Sequence, residues 1–327
     1  MATFFSLPPE LLLDILALAG GPAPSEESYE RGYQRYLERN RNLKPLTLVH
    51  KAWKDSAQKV LQEEVYIRGP DWDCASDEEL DRISSLLMES KVGGTKYLTI
   101  NGHLDEFIAA TGYAMWSRVR YLRLWMSRRN DGSTWMRDFT SFPRLQDLHL
   151  DQYHDIENYL CFDSADVHLH FAQLRRITFR SGISSGGLSH PEDIDDARNE
   201  DLEYAKSSPL GARVNTSNLF PENRILDNLR VFALQISSYD ASTLFNHPHR
   251  QWNLDSLHLS TRSIMGMEEV ISRLIKIAKG EDSRHRIGRI VIYGDREVVE
   301  TKHKDLIDDL DALEWRGSGL PIGFDGR

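Results

Sequence analysis

Leu145-Gln146-Asp147-Leu148-His149-Leu150 sets leucines at the spacing Leu-x-x-Leu-x-Leu. In an extended chain Leu148 and Leu150 point to one side and Asp147, His149 and Asp151 to the other, so the stretch reads as a strand with one apolar face. The pattern returns, with other apolar residues in the leucine places, at Tyr97-Leu98-Thr99-Ile100, Val119-Arg120-Tyr121-Leu122-Arg123-Leu124, Leu174-Arg175-Arg176-Ile177-Thr178-Phe179, Leu229-Arg230-Val231-Phe232-Ala233-Leu234, Leu254-Asp255-Ser256-Leu257-His258-Leu259 and Ile287-Gly288-Arg289-Ile290-Val291-Ile292. Measured between middle apolar positions, most neighbouring copies are 24 to 33 residues apart. A period of that size marks a solenoid of stacked repeats.

Some of the intervening segments carry a helical pattern. Asp77 to Ser90 places Leu80, Ile83, Leu86 and Leu87 on one face, and Met267 to Lys279 does the same with Val270, Ile271, Leu274, Ile277 and Ala278 before stopping at Gly280. Strand, helix and parallel strand form a right-handed crossover, so the expected fold class is α/β: an irregular right-handed solenoid with an inner parallel sheet and outer helices over 69–316. The wide interval from Ile177 to Phe232 holds Gly182-Ile183-Ser184-Ser185-Gly186-Gly187 and the polar run Glu192 to Asp201, and reads as an acidic insertion near 181–218. Leu306, Leu310 and Leu313, at helical spacing, would cap the last repeat, and 317–327 reads as a loose tail.

The first 68 residues have a different character. Ser6 is placed to cap a helix whose first turn holds Pro8, Pro9 and Glu10, followed by Leu11, Leu12, Ile15, Leu16 and Ala19 on more than one face. Leu46, Val49 and Trp53 recur at three and four residues in a second amphipathic stretch. Between them, after the turn-rich Gly20 to Glu27, Tyr29, Tyr33, Tyr36 and Leu37 predict an additional helix. So much apolar surface on a short unit asks for a partner, although the pattern also fits a helical hairpin packed on its own domain.

Leu7-Pro8-Pro9-Glu10-Leu11 followed by Leu48-Val49 and Trp53 resembles an F-box, and the Leu-x-x-Leu-x-Leu body resembles leucine-rich repeats, which commonly follow one. The resemblance implies a three-helix head that docks on the Skp adaptor, and through it on a cullin, with the body selecting a protein for ubiquitination. It assigns Leu7, Pro8, Leu11, Ile15, Leu16, Leu46, Val49 and Trp53 to the adaptor interface. The chain departs from the family in its insertion between the first two helices. It also lacks the Asn or Cys that follows Leu-x-Leu in regular repeats, after Leu124, Leu150 and Leu259.

Residues alternating with the buried leucines form one lateral band: Tyr97, Thr99, Tyr121, Arg123, Trp125, Asp147, His149, Asp151, Arg176, Thr178, Arg180, Ser256, His258 and Tyr293. Aromatic anchors mixed with both signs of charge suit recognition of a protein segment, so this band is the expected substrate face. Forty basic against fifty acidic residues give a formal charge of −10, which argues against nucleic acid and anionic membranes as partners. Cys74 and Cys161 are too few for a disulfide framework and fit a reducing cytoplasm or nucleus. No Lys or Arg precedes the apolar run at Leu11 to Ala19, and Pro8, Pro9, Glu10 and Asp14 interrupt it, which speaks against a signal peptide.

Catalytic readings are weak. Gly182-Ile183-Ser184-Ser185-Gly186, with His190 nearby, matches the G-x-S-x-G elbow of hydrolases, but no helical pattern follows it. His168, His170, His247, His249 and Cys161 lack the paired spacing of a zinc site, Glu192 to Asp196 lacks the glycine of a calcium loop, and Val92-Gly93-Gly94-Thr95 lacks the lysine of a phosphate loop. The expectation is a non-catalytic receptor with no cofactor and no metal, the alternative being a repeat-based scaffold that assembles no ligase.

Overall fold

The computed structural model describes residues 8–22, 24, 29–49, 51–68, 94–101, 116–125, 142–151, 173–180, 228–235, 245, 251–260, 267–294, 296–302 and 304–316. The chain forms an N-terminal helical region and a parallel sheet, an α/β architecture. It divides into two compact units, the first including the N-terminal helices and running through Leu148, the second including the strands that follow.

Three helices open the first unit: α1 (Pro9–Ala19), α2 (Tyr29–Val49) and α3 (Lys51–Gln62). Pro9 starts α1, where a missing N–H is harmless, and Glu10 sits at the positive end of its dipole. The N-cap is Pro8, which makes no side-chain bond, rather than the expected Ser6. The additional helix expected around the tyrosines and the start of the second amphipathic stretch are one helix, α2, which continues through Pro45. Leu12, Leu16, Leu43, Trp53, Ala57 and Val60 form the core of the head, with Leu13, Ala19, Leu46 and Leu61 packed against it.

Only Glu63 separates α3 from β1 (Glu64–Arg68), which pairs in parallel with β2 (Tyr97–Asn101), and β2 with β3 (Tyr121–Trp125). In this register Ile67, Ile100 and Leu124 share one face, and Tyr66, Thr99 and Arg123 the other. The second unit holds β5 (Arg176–Arg180), β6 (Val231–Gln235), β8 (Ser256–Ser260), β10 (Ile290–Tyr293) and β11 (Glu314–Arg316), again parallel. With β4 (Asp147–Asp151), they take the order β1-β2-β3-β4-β5-β6-β8-β10-β11 in one sheet, while β7 (Asn253–Leu254) and β9 (Arg286–Ile287) pair separately.

All seven repeated stretches form strands, most beginning two residues after the first apolar position. That first residue, Val119, Leu145, Leu174, Leu229 or Leu254, is buried just ahead of its strand. The backbone explains the offset. The N–H groups of Lys96 and Tyr97 both donate to Glu63 O, those of Arg120 and Tyr121 to Lys96 O, and those of Gln146 and Asp147 to Arg120 O. In the second unit Arg230 and Val231 share Arg175 O, and Asp255 and Ser256 share Arg230 O. At these five junctions one entry carbonyl ties a strand to the next and satisfies turn groups without the side-chain ladder that this chain lacks.

The helix expected at 267–279 is α4 (Met267–Ala278), and it buries Val270, Ile271, Leu274, Ile275 and Ile277. Gly280, at φ 75°, terminates it: its N–H donates to Ile277 O, and that of Glu281 to Lys276 O. After α5 (Arg296–Lys302), the predicted cap is a 3₁₀ helix (Lys304–Ala312) in which Leu310 is buried, followed by β11, a strand absent from the sequence reading. The helix expected at 77–90, the insertion at 181–218 and the tail at 317–327 lie outside the described residues.

Candidate functional site

Helix α1 carries two apolar stripes. Leu12 and Leu16 enter the head core, whereas Leu11, Ile15 and Leu18, at spacings of four and three, remain 51%, 36% and 82% exposed. At the end of α2, Leu48 and Val49 are 87% and 59% exposed. The sequence-predicted interface divides accordingly: Pro8, Leu11, Ile15 and Val49 lie on the surface, Leu46 is half-buried, and Leu16 and Trp53 are core residues. Leu7 lies outside the described residues. Leu18 and Leu48 were missed; Leu18 was legible as the residue seven after Leu11, while nothing in the spacing distinguishes Leu48 from its neighbours.

A buried ion cluster holds this head on β1. Arg35 reaches both carboxylate oxygens of Glu64, and its Nη1 also donates to Pro22 O at 3.3 Å. Arg39 Nε lies 3.4 Å from Glu64 Oε2, and Arg39 Nη2 donates to Val60 O at 3.0 Å, a cation at the negative end of α3. Burying one carboxylate without such partners would be prohibitive. Tyr33 and Tyr36 pack against Tyr66 with ring centroids 5.2 and 5.5 Å apart. Tyr33 and Tyr36 thus serve as a joint between helix and strand.

The lateral band occupies one face of the strands, as its alternation requires, but much of it is covered. In the first unit Tyr97 is half-buried, its ring 6.2 Å from that of the buried Tyr121, and Arg123 is buried beside Thr99. Asp147 is half-buried, and Trp125 ends β3 in register with Asn101. In the second unit His149, Asp151 and Thr178 are buried, Arg176 is half-buried and Arg180 ends β5. His258, also buried, uses both ring nitrogens: Nδ1 is 3.1 Å from Tyr293 Oη and Nε2 3.1 Å from Ser256 Oγ. That chain of contacts explains how an imidazole sits inside the sheet, and gives it a structural role.

A second histidine stands out although the sequence did not mark it. His285 Nδ1 accepts the Trp252 N–H at 3.3 Å, and its ring meets Phe245 edge-on at 5.5 Å. Burial pushes its pKa down to about 4; Asp282 opposes the shift, and Arg273 and Arg284 reinforce it. On β11, the hydrogen bonds from Arg289 hold the Glu314 carboxyl below its ordinary value, aided by Arg316.

Ser184, His190, His168, His170, Cys161, His247, His249 and the acidic run lie outside the described residues. Among the described residues, no group of three or more His, Cys, Asp or Glu is arranged to hold a metal ion, and no helix is long and apolar enough to cross a membrane. Comparison of the chain with family models, with curated proteins and with solved structures found no match.

Proposed function

We propose that this chain is the substrate-recognition subunit of an Skp–cullin–F-box ubiquitin ligase, with an irregular leucine-rich-repeat body. The observation that carries the reading is the surplus stripe on α1. The head core is filled by Leu12, Leu16, Leu43, Trp53, Ala57 and Val60, yet Leu11, Ile15, Leu18, Leu48 and Val49 remain outside it. Apolar residues concentrated on one small helical unit suit a protein interface. The F-box resemblance, which includes Leu11, Ile15 and Val49 of this set, names the occupant, the Skp adaptor.

Among the described band residues, Tyr97 and Asp147 in the first unit, and Arg176 and Ser256 in the second, keep partial exposure, and a bound protein segment would meet the band there. The receptor supplies no acid, base or nucleophile. It acts by proximity, raising the effective concentration of a bound protein near the activated ubiquitin carrier.

The test is co-expression with an Skp adaptor and size-exclusion chromatography of wild type and Leu11→Glu/Leu48→Glu. Both side chains are largely exposed, so the variant should fold and lose a one-to-one complex that the wild type forms. A folded wild-type chain that forms no complex would refute the reading and leave a repeat-based scaffold.

A further inference from the structure

We propose that the first half of α2 is a splint that makes the helical head and strands β1 to β3 one rigid arm, with Arg35, Arg39, Glu64 and Tyr66 as its fastening. The use of such an arm rests on the receptor reading; the rigidity itself does not. Helix α2 has 21 residues and is about 31 Å long. Its first half carries Tyr33, Arg35, Tyr36 and Arg39 onto β1, and its last turn carries the exposed Leu48 and Val49. A movement of the exposed end relative to β1 must therefore bend a continuous helix or break the cluster.

The second connection is as tight. Helix α3 passes into β1 through Glu63 alone, whose carbonyl accepts the N–H groups of Lys96 and Tyr97, while Thr95 Oγ1 donates to Gln62 O at 3.0 Å. Arg39 joins both connections, since it touches Glu64 and the Val60 carbonyl of α3. The paired hydrogen bonds from Arg35 to Glu64 have fixed directions, and together with the Arg39–Glu64 ion pair they resist sliding as an apolar contact does not, because a displaced state leaves a buried charge unpaired. The arm would present a protein held on β1 to β3 at one distance from the adaptor.

The test is the distance distribution between nitroxides at Asp14→Cys on α1 and Arg118→Cys before β3, in the full chain with Cys74 and Cys161 replaced by serine. The expected wild-type result is a single narrow peak, which is lost in Glu64→Gln and broadened in the milder Tyr36→Ala. A broad or multiple wild-type distribution overturns the proposal. So does a narrow peak retained in a folded Tyr36→Ala together with Glu64→Gln; if Glu64→Gln does not fold, Tyr36→Ala decides alone. Adaptor binding is measured separately on the unlabelled chain, and its absence would refute the receptor reading while leaving a narrow distribution as evidence for the splint.

Discussion

Lowering the pH from 7 to 5 should weaken the second unit through His285, and His285→Gln should remove that part of the loss. The folded side chain titrates at about 4, chiefly because it is buried, against about 6.5 in an unfolded chain. A depressed histidine pKa means that the unfolded state binds the proton more readily. The stabilising effect is therefore complete above pH 6.5 and is lost as pH falls through that value toward 4. Integrated between pH 7 and 5, the loss is about 2 kcal/mol. In the His285→Gln variant the new amide oxygen can still accept the Trp252 N–H, so the substitution removes the titration while preserving the bond at that position. Urea unfolding of both proteins at several pH values, followed by tryptophan fluorescence, would give the difference in slope. The reasoning fails if the two stabilities run parallel from pH 7 to 5, or if the folded imidazole is found by NMR to titrate near 6.5.

Gly20→Ala should cost about 1–3 kcal/mol by overpacking, since a Cβ there would lie 2.6 Å from Arg39 Nη1 and 3.1 Å from Leu43 Cδ1; an unchanged urea midpoint would contradict the packing of α1 on α2. Gly280→Ala meets no neighbouring atom, and its cost of about 1–2 kcal/mol should come from the left-handed backbone alone, so Asn should be better tolerated than Ala at that position. Glu64→Ala strands two guanidinium groups and should cost about 3–5 kcal/mol, read as a fall in the unfolding free energy of the first unit.

The strands were legible because their signal is the residue type itself: an apolar side chain on alternate positions, repeated at a recognisable interval. What fixes their starting points was not legible, because Glu63, Lys96 and Arg120 accept through backbone carbonyls, which every residue type possesses. Strand β1 escaped notice although Val65 and Ile67 alternate, since Glu64 at its start looks like a surface residue until Arg35 and Arg39 are brought to it from far along the chain. Pro45 lies inside α2. Near the end of α2 it forfeits one backbone bond where few remain, so the helix continues through it. His285 had no local signal at all: its depressed pKa comes from burial against Phe245 and Trp252, 40 and 33 residues earlier in the chain.

The proposed adaptor surface poses the sharpest choice between resemblance and geometry. The resemblance assigns Leu16 and Trp53 to the interface; geometry places them at 0% and 7% exposure in the head core and puts Leu18 and Leu48 outside it. Burying an exposed leucine fully is worth about 1.5–3 kcal/mol, so covering Leu18 and Leu48 together offers several kcal/mol before the costs of association are met. Leu18→Ser/Leu48→Ser should thus weaken adaptor binding by two or more orders of magnitude and leave the unfolding midpoint nearly unchanged. Trp53→Ala should do the reverse in kind: it removes a large core side chain at a cost of about 3–5 kcal/mol, and any binding it loses should return under conditions that refold the head, such as lower temperature or added osmolyte. Binding titrations and melting curves on the same samples separate the two. A Trp53→Ala protein that melts like the wild type but no longer binds would place the tryptophan at the interface after all, and an undiminished affinity in Leu18→Ser/Leu48→Ser would show that the exposed stripe serves something other than the adaptor.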